Sequence, residues 1–323
     1  MDKIFFTQPS LTITQQLTLL QEKGLIIDDV ASAEHWLSHN SYFRFKHYSY
    51  SFKDYKNGNG NYVPETRFEV IRDLYLFDRK IKMLIFEALE NIEIAVKTRL
   101  TNTMATAYGP HWYIDAAHFI SEQERRQIIR NAKKDEDIFI AFDHAAFLND
   151  IEGHMKDPDE LFLKYYKDIY DPLFPPSWMM VEIITFGTLS ILFENLKPST
   201  EKTAIHDHFG LTKKHFVSWL HCFSFIRNRC AHHARLVYAK INFAPALPQR
   251  QSRKFLNEAD DVDHATLYAV LCCIQHMIST CNNSSSFKEN LLALIDTYPA
   301  INYARLGFTN HWREEPLWSM MAP

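Results

Sequence analysis

The stretch "FEVIRDLYLFDRKIKMLIFEALENIEIAVKTRLTNTM", residues 68–104, decides the fold class. Apolar residues recur in it at spacings of three and four, from Val70 through Phe77 to Ile92. That period is typical of a helix that buries one face. The spacing therefore predicts one long helix, or two helices with a break near Asp78.

Helical patterns also occupy much of the remaining chain, and only 8 glycines are present, which disfavours a fold with many tight turns. Residues 41–68, rich in aromatic side chains, form the least helical part. We therefore expect an all-α fold: a single domain over residues 1–323, with an N-terminal subdomain (1–66) and a helical core (67–323). Further helices are predicted over residues 10–24, 28–40, 121–152 (one or two), 177–195 (one buried helix), 212–240 (a helix pair), 263–281 and 285–298.

The composition limits the classes of function. Hydrophobic residues make up 46% of the chain, which is enough for a substantial core. The net charge of −4 argues against a protein that is basic overall, so any contact with phosphates would use a local patch. The five cysteines contain no CxxC pair, and no apolar run is long enough to span a membrane. We therefore expect a cytoplasmic protein with reduced thiols and no membrane association.

The segment "SFIRNRCAHHARL", residues 224–236, concentrates titratable and cationic side chains in a half-apolar context. On an ideal helix, at about 100° per residue, Ser224, Asn228, His232 and Arg235 share one polar stripe. His233 falls on the shoulder of the apolar face and is expected to pack against a neighbouring helix.

This combination of side chains suits the cleavage of RNA. A histidine can transfer a proton near neutral pH, and an arginine can hold a phosphate. An asparagine can orient either group. When the ribose 2′-hydroxyl attacks its own phosphate, the chemistry needs no metal. The alternative is a polar helix face that pairs with acids elsewhere in the chain.

Several segments also resemble a known family. "RNRCAH", residues 227–232, resembles the R-N-x-x-x-H form of the motif of HEPN-domain ribonucleases. The chain as a whole resembles abortive-infection (Abi) proteins of the AbiD/AbiF type, in the HEPN superfamily. The segments that carry this resemblance follow one another along nearly the whole chain: "SYFRFKHY" (41–48), residues 74–100, "YGPHWY" (108–113), residues 175–196, "WLHCFSFIRNRCAHHARL" (219–236) and "LGFTNHWREEPLW" (306–318).

The resemblance implies a HEPN-like helical bundle with additional helices and a toxin-like role in phage defence. It implies a metal-independent endoribonuclease in which Arg227 and His232 are catalytic and Asn228 supports them. HEPN sites are often composite, so one motif per chain implies a homodimer or a partner segment within the chain. Because Arg227 and His232 do not share a face of an ideal helix, the site requires a swung arginine, a kink, or a second copy that supplies the arginine. An antitoxin, RNA or protein, is a possible further partner. The alternative is a HEPN scaffold that binds RNA or a partner without cutting.

Acidic residues could support the motif. Glu90 and Glu93 either form a solvated face, with Glu93 paired to Lys97, or orient the arginine or histidine of the motif. Glu182 lies in an apolar helix, where a buried carboxylate would need a partner. The expected partner of Glu182 is Arg227, Arg235 or His233. The candidate supporting residues are therefore Glu90, Glu93, Glu182, His233 and Arg235.

Two basic segments are candidate RNA contacts. Cations and rings interleave in "YFRFKHYSYSFKDYK", residues 42–56, as in proteins that bind single strands. The alternative is a packed aromatic subdomain. "RRQIIRNAKK", residues 125–134, is a basic helix face that either contacts phosphates or is simply solvated. The candidates are Arg44, Lys46, Tyr48, Arg125, Arg126 and Arg130.

No cofactor is expected, and the histidines do not predict a metal site. His206, His208, His215 and His221 fall close together, but their spacing is irregular and no cysteine pair joins them. The chain also has neither a phosphate-cradling glycine loop nor a GxSxG sequence.

Overall fold

The computed structural model describes residue 5 and residues 9–55, 60–131, 140–171, 174–248, 255–257 and 259–319. Across these residues the chain forms thirteen α-helices and no β-strand, so the predicted all-α class is confirmed. The helices are α1 (Ile13–Glu22), α2 (Val30–Asn40), α3 (Tyr42–Ser49), α4 (Phe68–Tyr108), α5 (Glu122–Asn131), α6 (His144–Lys156), α7 (Leu161–Ile169), α8 (Ser177–Ile183), α9 (Phe186–Asn195), α10 (Thr200–His208), α11 (Lys213–Ala231), α12 (Leu267–Cys281) and α13 (Phe287–Thr297).

The long helix α4 runs for 41 residues without the break that was considered near Asp78. Asp78 is fully buried, yet its carboxylate lies 2.8 Å from the Lys82 ammonium and accepts a hydrogen bond of 2.8 Å from the Tyr48 hydroxyl. A buried charge is tolerated when it is paired and hydrogen-bonded. The polar residue therefore interrupts the apolar stripe without ending the helix.

The aromatic segment 41–68 contains one short helix, α3, which the Ser41 hydroxyl caps by accepting from the amide of Arg44. The single helix predicted after the prolines is two helices. Ile184 is extended, and the Thr185 hydroxyl caps α9 by accepting a 3.1 Å hydrogen bond from the amide of Thr188.

The chain divides into two compact units. The first contains Met1–Lys82 and Leu291–Asn302, and the second contains Met83–Asn290 and Tyr303–Pro323. The division falls within α4 and within α13. The predicted subdomain boundary at residues 66 and 67 stays a prediction.

Aromatic rings form the core of the first unit. The Phe45 and Phe68 rings stack with centroids 4.5 Å apart, and the Trp36 ring meets both edge-on. Tyr48 and Phe45 are almost fully buried. These rings of the aromatic block thus pack together, while Phe43 is 71% exposed, so contact of this segment with RNA stays a prediction.

Helices α11 and α12 supply much of the core of the second unit. Eleven of the fifteen residues of α12 are buried. Trp219 of α11 is fully buried, its ring lies 5.4 Å from that of His276 on α12, and its indole N–H donates to the carbonyl of Ala246 at 2.7 Å. Truncating an aromatic residue in such a core typically costs about 3–5 kcal/mol.

Candidate active site

Helix α11 carries the Arg-Asn-x-x-x-His sequence at its C-terminal end. The helix begins at a cap in which the Thr212 hydroxyl accepts from the amide of His215. Its buried stripe anchors it from Phe216 to Cys230. Arg227 is half-buried beside this stripe, and Asn228 is exposed. The apolar stripe therefore fixes which way the motif faces.

The helix ends at Ala231, so the helix pair predicted over residues 212–240 is wrong beyond that point. The amide of His233 donates to the carbonyl of Cys230 at 3.1 Å, and the amide of Ala234 donates to that of Arg229 at 2.9 Å. This pair of hydrogen bonds is a Schellman motif. His233 adopts a φ of 55°, in the left-handed region where glycine is usual at this position.

Because α11 ends at Ala231, the side chains of His232 and His233 are both exposed. His232 is the C-cap residue and is exposed, and its imidazole makes no hydrogen bond or ion pair with the described residues. His233 is also exposed, so the prediction that it packs against a neighbouring helix was wrong. The helical angles used for His233 and Arg235 do not apply, because the chain leaves the helix before them.

Arg227 lies against the aromatic ring of Phe86 on α4. The guanidinium carbon is 5.7 Å from the ring centroid, a distance typical of a cation–π contact. Its Nη1 atom also lies 3.5 Å from the Asn228 side-chain oxygen, at the outer limit of a hydrogen bond. The structure thus brings Arg227 and Asn228 together, while His232 follows one turn later at the end of the helix.

Arg229, which the sequence analysis did not single out, braces the segment after the helix. Its guanidinium donates to the carbonyl of Arg235 and lies 5.6 Å from the Phe225 ring. An arginine in the last helical turn is a recognised partner for terminal carbonyls, so this role had a sequence signal. Arg229 thereby holds the segment that contains both histidines.

The acidic candidates do not contact the motif. Glu93 pairs with Lys97 at 3.0 Å as expected, but the pair is largely buried rather than solvated, and the Lys97 ammonium also donates to the carbonyl of Ile184 at 3.1 Å. Glu90 is exposed and forms no ion pair within the described chain. Glu182 is exposed as well, so the argument that it needs a buried partner was wrong, because α8 presents it to solvent.

A buried polar network, which the sequence analysis missed, joins α9 to the middle of α11. The Ser190 hydroxyl lies 2.8 Å from His221 Nδ1, and His221 Nε2 lies 3.1 Å from the Glu194 carboxylate. Ser190 is fully buried and Glu194 nearly so. Because no substrate can reach this serine in the folded chain, we interpret the network as a structural clamp. Only the tertiary contact reveals it, since nothing in the spacing links the two helices.

Lys202 extends this network. Its ammonium nitrogen donates to the carbonyls of Glu194 at 2.8 Å and Leu196 at 2.5 Å, at the C-terminal end of α9. Burial lowers the pKa of Lys202 to about 7. Even a neutral amine has the two N–H groups that these carbonyls require.

The candidate RNA contacts differ in accessibility. Arg44 and Lys46 are half-exposed, but Tyr48 is buried, so the prediction that its ring is open to a base was wrong. Burial is the main cause that raises the Tyr48 pKa, followed by the charge of Asp78.

On α5, Arg125 and Arg126 both pair with Glu122, the latter at 3.1 Å, while Arg130 is exposed. The basic face is therefore partly neutralised. Residues 132–134 of that predicted face lie outside the described residues.

The described residues contain neither a metal-binding cluster nor a membrane-spanning helix. No group of three or more histidine, cysteine, aspartate or glutamate side chains is arranged to hold a metal ion. The histidine cluster is dispersed, with His206 bound to the carbonyl of Leu211 and His221 in the buried network. Among the described residues, no helix combines the length and the apolar character needed to cross a membrane.

The fold and the site define a class: an all-helical protein that presents an Arg-Asn-x-x-x-His sequence at the exposed end of a buried helix. A family model of Abi-like proteins matches residues 35–238, more than half of the chain, and the chain belongs to that family. The match includes α11 and the motif; the tail segment 306–318 lies outside it. No curated protein and no solved structure matches the chain significantly. Membership in the family supports a role in abortive infection, the defence against phage.

Proposed function

We propose that this protein is a HEPN-type, metal-independent endoribonuclease that acts in abortive infection. Arg227 holds the scissile phosphate, His232 transfers the proton, and Asn228 positions them. One observation carries the proposal: the His232 imidazole is exposed at the end of a helix whose opposite side is buried in the core. A proton-transfer group must be accessible to both substrate and solvent, and the exposure of His232 meets that requirement.

The reaction follows from these groups. A base removes the proton of the ribose 2′-hydroxyl, whose oxygen attacks the adjacent phosphorus. The bond to the 5′-oxygen of the next nucleotide breaks, and an acid returns a proton to that oxygen. The products are a 2′,3′-cyclic phosphate and a 5′-hydroxyl, and Arg227 would neutralise the charge that builds on the phosphate. No metal is required, because the nucleophile is already part of the substrate.

A homodimer would supply the second proton-transfer group. One chain offers one motif, and the reaction uses both a base and an acid. An exposed stripe on α4 supports the pairing of two copies, because Met83 is 70% exposed, Ile94 is 57% exposed, and Phe86 lies between them under Arg227. Exposed apolar patches of this kind mark interaction surfaces. Sedimentation of the protein should show a dimer that Met83→Glu with Ile94→Glu converts to monomer, and a monomeric wild type would contradict this.

The test of the activity is cleavage of labelled single-stranded RNA by protein treated with EDTA. We expect fragments that end in a cyclic phosphate, and none when a 2′-deoxynucleotide replaces the nucleotide at the cut. Arg227→Ala should abolish the fragments. Cleavage that disappears with EDTA and returns with a divalent metal would contradict the proposal.

A specific observation favours a second function, that of an RNA-binding scaffold. Arg227 is engaged with Phe86 and Asn228 rather than with His232, so a single chain does not bring the two catalytic groups into contact. If the wild type and His232→Ala bind RNA equally and neither produces fragments, the scaffold function holds. An antitoxin, RNA or protein, would be a partner for either function, and its binding to this surface would mask the motif.

A further inference from the structure

Helix α7 buries one of its faces. Leu163 and Tyr166 are almost fully buried, and they pack with Met155 of α6 in one apolar cluster. The Lys167 ammonium also donates to the carbonyl of Lys156, the last residue of α6, at 2.6 Å. These contacts fix the helix against α6, so its opposite face is held in one orientation.

The opposite face of α7 is apolar and exposed. Leu161 is 80% exposed, Tyr165 is 64% exposed and Ile169 is 54% exposed. Their spacing of four residues places the three side chains in one row along the helix. A helix that is apolar on both faces is normally buried on both. We call Leu161, Tyr165 and Ile169 the outer row of α7.

Acidic side chains surround the outer row. Asp168 lies on the same face of the helix, three positions after Tyr165 and seven after Leu161. Further exposed acidic residues lie directly before the helix and just after its end: Asp157, Asp159, Glu160 and Asp171. None of these five carboxylates forms an ion pair within the described part of the chain.

The lysines of this region compensate only part of that charge. Lys156 pairs with Glu152 at 2.8 Å, so this pair is neutral. Lys164, which is exposed, and Lys167, which is bound to the α6 carbonyl, are the other two cations. Five negative charges less two positive charges leave a net charge of −3 around the outer row. The row is therefore an apolar surface in a negative field.

This combination of apolar and acidic groups restricts the partner. Carboxylates repel phosphates, which argues against RNA and against a membrane of anionic lipid on this face. An apolar row flanked by acids complements an amphipathic helix whose apolar side chains are flanked by lysine or arginine. The basic helix α5 of a second copy is a poor match, because Glu122 already pairs with Arg125 and Arg126.

We propose that the outer row of α7 is the docking surface for a basic amphipathic helix of a partner protein. The apolar side chains of the partner cover Leu161, Tyr165 and Ile169, and its cations pair with Asp168 and with the acids at the two ends of α7. Because the inner face is anchored, the surface is formed before the partner binds, and little ordering of α7 opposes binding. The proposal does not depend on RNA cleavage.

The test is equilibrium binding, measured by fluorescence anisotropy, of a labelled peptide of leucine and lysine whose pattern forms an amphipathic helix. We expect this peptide to bind at least about tenfold more tightly than one with glutamate in place of lysine, and its affinity to fall with added salt. Tyr165→Ser with Ile169→Ser should weaken its binding by at least about tenfold, since both side chains lose apolar contact. Met83→Ser, which removes an exposed apolar side chain of α4, is the matched control and should leave binding unchanged.

Asp168→Asn keeps the shape of the surface and removes one charge, so it should reduce the salt dependence without abolishing binding. Circular dichroism checks that each variant keeps the fold, which is expected because all the changed residues are exposed. Equal binding of the two peptides, or binding that the Tyr165 and Ile169 changes leave intact, would overturn the proposal. Self-association of the wild type that these same changes abolish would also overturn it, because a second copy would then occupy the surface.

Discussion

His221, in the middle of α11, and His232, at its end, belong to one helix and meet opposite surroundings. His221 is held between Ser190 and Glu194, whereas His232 is exposed without a side-chain partner among the described residues. The difference arises from the extent of α9, which begins at Phe186. That helix covers His221 and approaches Ser224 so closely that a Cβ at Gly187 would lie 3.2 Å from the serine hydroxyl.

The comparison teaches that residue type alone does not identify a reactive histidine. His221 has a serine and a carboxylate as neighbours, which is a combination known from hydrolases, yet its serine is sealed from solvent. His232 has no such neighbours but is accessible. We therefore expect changes at His221 and its partners to affect folding, and changes at His232 to affect chemistry.

The largest effect on stability is expected from Glu194→Ala. The substitution leaves the largely buried His221 without its carboxylate partner and removes the acceptor of the 3.2 Å hydrogen bond from the amide of Ile140. We expect the free energy of unfolding to fall by about 3 kcal/mol in urea denaturation. Glu90→Ala, on an exposed position of α4, is the control and should change it by less than about 0.5 kcal/mol. Equal effects of the two substitutions would show that the network does not clamp the helices.

A second effect, smaller over any single pH unit, concerns pH. The pKa of Lys202 is about 7 in the folded chain, while an unperturbed lysine has a pKa of about 10.4. Between these values the unfolded chain binds more protons, so folding stability should rise with pH in that window, by at most about 1.4 kcal/mol per pH unit. Lys202→Met should remove this rise in denaturation curves measured from pH 7 to pH 10. A slope that Lys202→Met leaves unchanged would assign the dependence to other groups.

The smallest effect is expected at His233. Its left-handed backbone suits glycine, so His233→Gly should raise the free energy of unfolding by about 1 kcal/mol and His233→Val should lower it. Both changes are measured by thermal or urea denaturation. If His233 serves only this helix end, RNA cleavage by His233→Gly should match the wild type. A loss of cleavage with retained stability would restore His233 as a supporting residue of the site.

Periodicity predicts the elements, and tertiary contacts decide where they end. The apolar spacing of residues 68–104 identified α4, but only the pairing of Asp78 with Lys82 explains why the helix is unbroken. Apolar residues continue past Ala231 to Val237, and the sequence therefore wrongly predicted a second helix after α11. The helix ends there because a Schellman motif forms with His233 in the left-handed region.

The candidate site was predictable only where its residues lie within a helix. Arg227 and Asn228 lie within α11, where helical angles apply, so the half-buried position of Arg227 and the exposed position of Asn228 follow from the sequence. Glu182 could not be placed, because the direction of its helix face depends on a break at Ile184 that the apolar run conceals.

The rate of RNA cleavage by His232→Ala, relative to wild type under single-turnover conditions, tests the central claim most directly. General acid–base catalysis contributes about 10²–10⁴-fold, so we expect the rate to fall by at least about a hundredfold. The melting temperature should not change, because His232 is exposed at a helix end. A rate within a few fold of wild type, or no cleavage by the wild type itself, would contradict the account.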